Sequence, residues 1–173
     1  MEVAAASQER AEGRLVLRDA EEADLPLVMR FVRALAEYEE LAHEAVATEE
    51  EFRRFLFREP RRAEALVAEA DGAPVGFAVW FYSFSTFLGR PSLYVEDVFV
   101  EPAARGRGVG RAIFRDLARR ALAAGCGRME WSVLDWNAPS IAFYRSLGAE
   151  PRRCWTTQRL TGDALAALAQ GRE

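Results

Sequence analysis

Leu93-Tyr-Val-Glu-Asp-Val-Phe-Val100, followed after four residues by Arg105-Gly106-Arg107-Gly108-Val109-Gly110-Arg111, is the stretch that decides the fold. The first segment is apolar and β-branched enough for a strand. The residues from Ala112 to Leu122 then repeat apolar positions at helical spacing. Strand, glycine-rich turn and helix in that order make a cradle for a phosphate group. Glycine lets the main chain approach closely, and the helix N-terminus presents unpaired N–H donors and a partial positive charge.

Two common phosphate motifs are excluded. A P-loop needs a lysine after its last glycine, and the chain has no lysine at all. A dinucleotide fingerprint needs Gly-x-Gly-x-x-Gly, and Arg111 stands where the third glycine would be. Arg-Gly-x-Gly-x-Gly after a strand remains.

The 173 residues suit one domain over 14–173, with residues 1–13 read as a flexible polar tail. Half the residues are hydrophobic, as a globular core requires. A net charge of −4 and a pI near 5.3 oppose a nucleic-acid surface. Cys126 and Cys154 make no disulfide framework, and His43 is the only histidine, so no metal site is expected. The N-terminus has no signal-peptide pattern and no stretch is apolar enough to span a membrane, which suggests a cytoplasmic protein.

The patterns predict a strand at 14–18 and a helix opening at Asp24-Leu-Pro26, with Asp24 as N-cap. Thr48-Glu-Glu-Glu51 reads as a capping box for a second helix through Phe57. Strands follow at 63–70, 74–84 and 92–100, with Asp71-Gly72 as a hairpin turn. In the next helix Val109, Ile113, Leu117 and Ala121 share one side and Arg111, Arg115 and Arg119 another; Gly125 ends it. A strand at 128–134, a helix at 137–147 closed by Gly148, a strand at 155–160 and a helix at 163–169 complete the order. This is an α/β or α+β arrangement around one sheet.

A second stretch narrows the reading: Glu130-Trp-Ser-Val-Leu-Asp-Trp-Asn137-Ala138-Pro139-Ser140-Ile-Ala-Phe143-Tyr144-Arg-Ser-Leu-Gly148-Ala149. With the glycine loop it resembles the acetyl-CoA site of the GNAT acyltransferases. Leu88 to Val100 and Leu35-Ala-Glu-Tyr-Glu-Glu-Leu41 are similar to the diamine/polyamine (spermidine/spermine) and thialysine N-acetyltransferase branch. The resemblance covers about residues 14–170. One departure is Gln158 in Trp155-Thr-Thr-Gln158-Arg, near a position where the family often carries tyrosine.

The resemblance implies a GNAT fold: a mixed, mostly antiparallel twisted sheet of six to seven strands flanked by about four helices. It implies an acetyl-CoA-dependent N-acetyltransferase, without metal, acting as a homodimer on a small cationic amine. The backbone of Val98, Phe99 and Val100 would hold the pantetheine arm. Arg105, Gly106, Arg107, Gly108, Val109, Gly110 and Arg111 would cradle the pyrophosphate, and Asn137, Ala138, Pro139, Ser140 and Tyr144 would also touch the cofactor. Tyr144 matches the family's general acid. Tyr38, Glu39, Glu96, Asp97, Glu130, Trp131 and Ser132 match the acceptor side. Acetylation of a protein lysine or N-terminus, and a non-catalytic acyl-CoA sensor, are the alternatives.

The chemistry defines what those residues must do. A primary alkylammonium with pKa about 10.4 is neutral in roughly one molecule in 2500 at pH 7, a cost of about 4.6 kcal/mol. Glu96 is the candidate base or water-orienter. A backbone N–H near Val98 is the candidate oxyanion donor. A tyrosine hydroxyl stays protonated at pH 7, so Tyr144 can give a proton to a leaving thiolate. Glu96 and Asp97 lie on opposite faces of an ideal strand; only a bulge or splay near Val98 would turn both to the acceptor.

Overall fold

The computed structural model describes residues 14–172. The expected tail at 1–13 lies outside the described residues. The described residues fall into two compact units, one up to Trp136 and one from Asn137.

The first unit holds β1 (Leu15–Asp19), α1 (Leu25–Tyr38), α2 (Glu49–Phe52), β2 (Glu64–Ala70), β3 (Ala73–Ser85), β4 (Arg90–Val100), α3 (Val109–Ala123) and β5 (Met129–Trp131). The sheet order is β1-β2-β3-β4-β5. The first four strands pair antiparallel, and β4 pairs β5 in parallel. Alternating side chains give the sheet two apolar faces. On one, Leu66, Ala68, Ala78, Trp80, Leu93 and Val95 meet Val109, Ile113, Leu117 and Ala121 of α3. On the other, Ala65, Phe77, Val79 and Phe99 meet Val28 and Phe31 of α1. The Phe31 ring lies 5.5 Å from Phe77 and 5.9 Å from Phe99. The arginine stripe of α3 is exposed, as the spacing predicts.

Thr48 and Glu51 form the expected reciprocal cap, and the chain continues from Arg53 to Phe57 as a π-helical turn. Asp24 holds the N-cap position of α1, as expected, but its side chain makes no cap bond. Its carboxylate instead accepts two bonds from Arg18, at 2.6 and 2.8 Å, and one from the Glu21 N–H.

The sheet has five strands among the described residues, fewer than the six to seven expected. The expected strand at 128–134 shrinks to Met129–Trp131, because β5 finds a partner only along Leu93–Val95. The expected strand at 155–160 does not form. Trp155, Thr156 and Thr157 favour extended chain, but a strand also needs a partner for its backbone N–H and C=O groups.

The second unit holds α4 (Ala138–Ser146) and α5 (Gly162–Ala169). Asn137 starts α4: its side-chain oxygen accepts the Ser140 N–H at 3.2 Å, with Pro139 in the first turn.

Candidate active site

The pairing of β3 with β4 slips by one residue. Val79 pairs Asp97, Trp80 pairs Val95, and Glu96 is left over as a β-bulge. The bulge exchanges the two faces of β4. Before it, Val95 faces α3; after it, Phe99 faces α1 while Val98 and Val100 pack on the α3 side. Asp97 pairs with Val79, which belongs to the α1 face, so its side chain shares that face. Glu96 is exposed and Asp97 half-buried.

Burial pushes the Asp97 carboxyl up to about 6, with further rises from the nearby charges of Glu96 and then Glu39. Glu39, just past the end of α1, is also raised by burial. The charges of Glu96 and of Glu39 therefore both act on Asp97 at the bulge.

Beyond the bulge, β5 no longer follows β4, and among the described residues no strand pairs the outer edge of Asp97 to Val100. The loop after β4 reaches the start of α3. Gly108 is the N-cap residue of α3 with φ of 83°, Gly106 has φ of 74°, and both are left-handed positions where a Cβ is strained. No side chain caps α3, and a Cβ at either glycine would point into open space. Open backbone donors at a helix start, beside an unpaired strand edge, fit a pyrophosphate and its pantetheine arm.

Arg107 lies 4.0 Å from Asp71, while Arg105 turns back towards β4 and α1. Tyr38 ends α1, with its ring 6.0 Å from that of Trp136. Ser132 shares a hydrogen bond of 2.9 Å with the Tyr94 hydroxyl. Glu130 pairs with Arg128 at 2.8 Å, and the Trp131 ring meets Phe114 edge-on at 5.0 Å. Thus the first unit brings together Tyr38, Glu39, Glu96, Asp97 and the glycine loop. In the second unit, Tyr144 is half-buried on α4, its ring 5.5 Å from Phe143. Asn137 to Ser140 form the first turn of that helix.

Sequence reasoning did not find the contact of Trp136 with Tyr38 or the inward turn of Arg105. Both join residues far apart in the chain, and no local pattern carries them.

Residues 30–149 match the Acetyltransferase (GNAT) family, and the chain belongs to it. It is an acetyl-CoA-dependent N-acetyltransferase. Among curated proteins it is 36% identical over 166 residues to a thialysine N-epsilon-acetyltransferase of Bos taurus, covering 90% of this chain and 97% of that one. It is 30% identical over 140 residues to a spermidine/spermine N(1)-acetyltransferase-like protein 1 of Homo sapiens, covering 77% of this chain and 20% of that protein. A solved integron cassette protein of V. cholerae superposes with a TM-score of 0.74 at 27% identity, over 90% of this chain and 98% of that one. The chain thus falls with the thialysine and polyamine branch.

Proposed function

We propose that the chain moves an acetyl group from acetyl-CoA to a primary amine of a small cationic acceptor, a diamine, polyamine or thialysine-like amino acid, by direct attack. The observation that carries this reading is the β4 bulge, which turns Asp97 to the α1 face where the charges of Glu96 and Glu39 act on it, together with an open glycine loop at the start of α3. A clustered negative charge attracts a cation, and a carboxylate titrating near 6 is ionised at pH 7 yet a stronger base than an ordinary aspartate.

When bound, acetyl-CoA supplies an activated thioester. The unpaired edge of Val98, Phe99 and Val100 would hold the pantetheine arm, and the Arg105–Arg111 loop the pyrophosphate. Asn137 to Ser140 add contacts by resemblance. Asp97 takes the ammonium proton, directly or through a water. Glu96, exposed at the bulge, is the second carboxylate in reach of that role and a charge partner for the cation. A β4 backbone N–H near Val98 would donate a hydrogen bond to the thioester oxygen. By resemblance, Tyr144 would give a proton to the leaving sulfur. The line Tyr38, Glu39, Glu130, Trp131 and Ser132 forms the acceptor wall. The two free cysteines fit a reducing cytoplasm, and a homodimer is the proposed assembly.

Incubation with acetyl-CoA and a panel of diamines, polyamines, thialysine, lysine and basic peptides, read by mass spectrometry, tests the acceptor class. Monoacetylated small amines are expected. Product from the peptides alone would overturn the small-amine reading.

A further inference from the structure

Arg105 opens the glycine loop, where an arginine is expected to reach outward to a phosphate. Its side chain instead turns inward. Nε donates to the Val100 carbonyl at 3.0 Å, at the very end of β4. The guanidinium carbon lies 4.9 Å from the centre of the Tyr38 ring and 5.8 Å from that of Phe99. These distances are those of a cation held over an aromatic face. Tyr38 is the last residue of α1, and Glu39 follows it. Phe99 is buried against Phe31 of the same helix. One side chain therefore touches the donor loop, the end of β4 and the end of α1 at once.

We propose that Arg105 is a positioning residue that couples the two halves of the site. Donor binding to the loop sets the Arg105 backbone, and its guanidinium then sets Tyr38 and, through it, the Glu39 turn that faces the acceptor. The inference rests on the reading of Arg105–Arg111 as the donor loop and of Tyr38–Glu39 as the acceptor wall. It adds a direction: acetyl-CoA orders the acceptor wall before the amine arrives. By linkage, donor and acceptor strengthen each other's binding by the same factor. A cation–aromatic contact of this kind corresponds to about 2- to 30-fold. A lysine cannot substitute fully, because an ammonium lacks the planar face that stacks on the ring while Nε bonds the carbonyl.

Hydrogen exchange followed by mass spectrometry tests the coupling without any amine present. Adding acetyl-CoA to the wild-type chain should slow exchange over residues 35–41, by about 2- to 30-fold. Arg105→Met and Tyr38→Leu, which remove opposite partners of one contact, should each abolish that response. Arg105→Lys should restore only part of it. In turnover, Arg105→Met should raise the amine KM about 2- to 30-fold, with a smaller effect on kcat and on acetyl-CoA affinity by calorimetry. Two results would overturn the proposal. One is a wild-type chain that binds acetyl-CoA without protecting residues 35–41. The other is an Arg105→Met variant that keeps the protection but loses acetyl-CoA affinity, as a plain phosphate ligand would. Failure of the acceptor reading has a different signature: intact protection with no acetylated small amine.

Discussion

At Asp97 two effects add. Removal from water disfavours its charge, and Glu96 and Glu39 disfavour it again. Its carboxyl titrates near 6 in the fold, against about 3.9 in an unfolded chain. Below pH 4 both states are protonated and Asp97 has no effect on stability. Between about 4 and 6 the unfolded chain gives up the proton first, so stability falls as pH rises, and the full cost of about 1–3 kcal/mol is present above 6. Asp97→Asn should therefore melt higher than wild type at pH 8, with the gap closing near pH 4; a thermal melt at both pH values checks this. If Asp97 is the base, kcat/KM should rise through an acidic limb near pH 6. Glu39→Gln should move that limb to lower pH by removing a like charge, whereas a limb that stays put would detach Glu39 from the site. Tyr144→Phe removes only a hydroxyl. Where chemistry limits the rate, kcat should fall about 10²–10⁴-fold with acetyl-CoA affinity nearly kept. Near wild-type turnover would leave the thiolate to depart unassisted.

At the scale of the element, β4 carries most of the site because it changes character along its length. From Leu93 to Val95 it has a neighbour strand on each side; past Glu96 it keeps only β3. That second half is held in place by an unusually close neighbour. A Cβ added to Gly76 of β3 would lie 2.7 Å from the Phe99 carbonyl oxygen and 3.4 Å from the Val100 Cα. Both atoms are backbone and cannot swing aside. Gly76→Ala should therefore push β4 outward at the segment proposed to bind pantetheine. It is expected to cost about 1–3 kcal/mol in stability by overpacking, and to weaken acetyl-CoA binding in calorimetry. Unchanged affinity in a folded Gly76→Ala chain would show that Phe99 and Val100 do not hold the donor.

For the whole molecule, the second unit leaves apolar side chains in water. Trp155 is 68% exposed, Leu165 53% and Leu168 67%. The segment 155–160, extended in pattern, has no strand partner among the described residues. Burying such surface is favourable by about 25 cal/mol per Å² of apolar area, and the proposed homodimer is where it would be buried. Light scattering on the purified chain should give twice the 19.4 kDa of one copy. Replacing Trp155 and Leu168 together by serine should shift the mass towards the monomer if this surface lies in the interface; a dimer unchanged by both would place the interface elsewhere.

Local chemistry made much of this protein legible from its sequence. The spacing of Val109, Ile113, Leu117 and Ala121, the Thr48–Glu51 cap, the helix that starts at Asn137 and the glycine loop all depend on neighbours a few residues away, and they appear where the pattern puts them. The family, too, is written in short blocks around Glu96, Gly108 and Tyr144. What only the tertiary structure decided depends on pairing between distant strands. The register slip opposite Val79 and Trp80 made Glu96 the bulge and turned Asp97 to the α1 face. No local pattern encodes which residue a partner strand will skip. The same holds for Arg105, whose charge alone is equally suited to a phosphate or an aromatic ring. The fold brought Tyr38 beneath it, and proximity in space selected between the two.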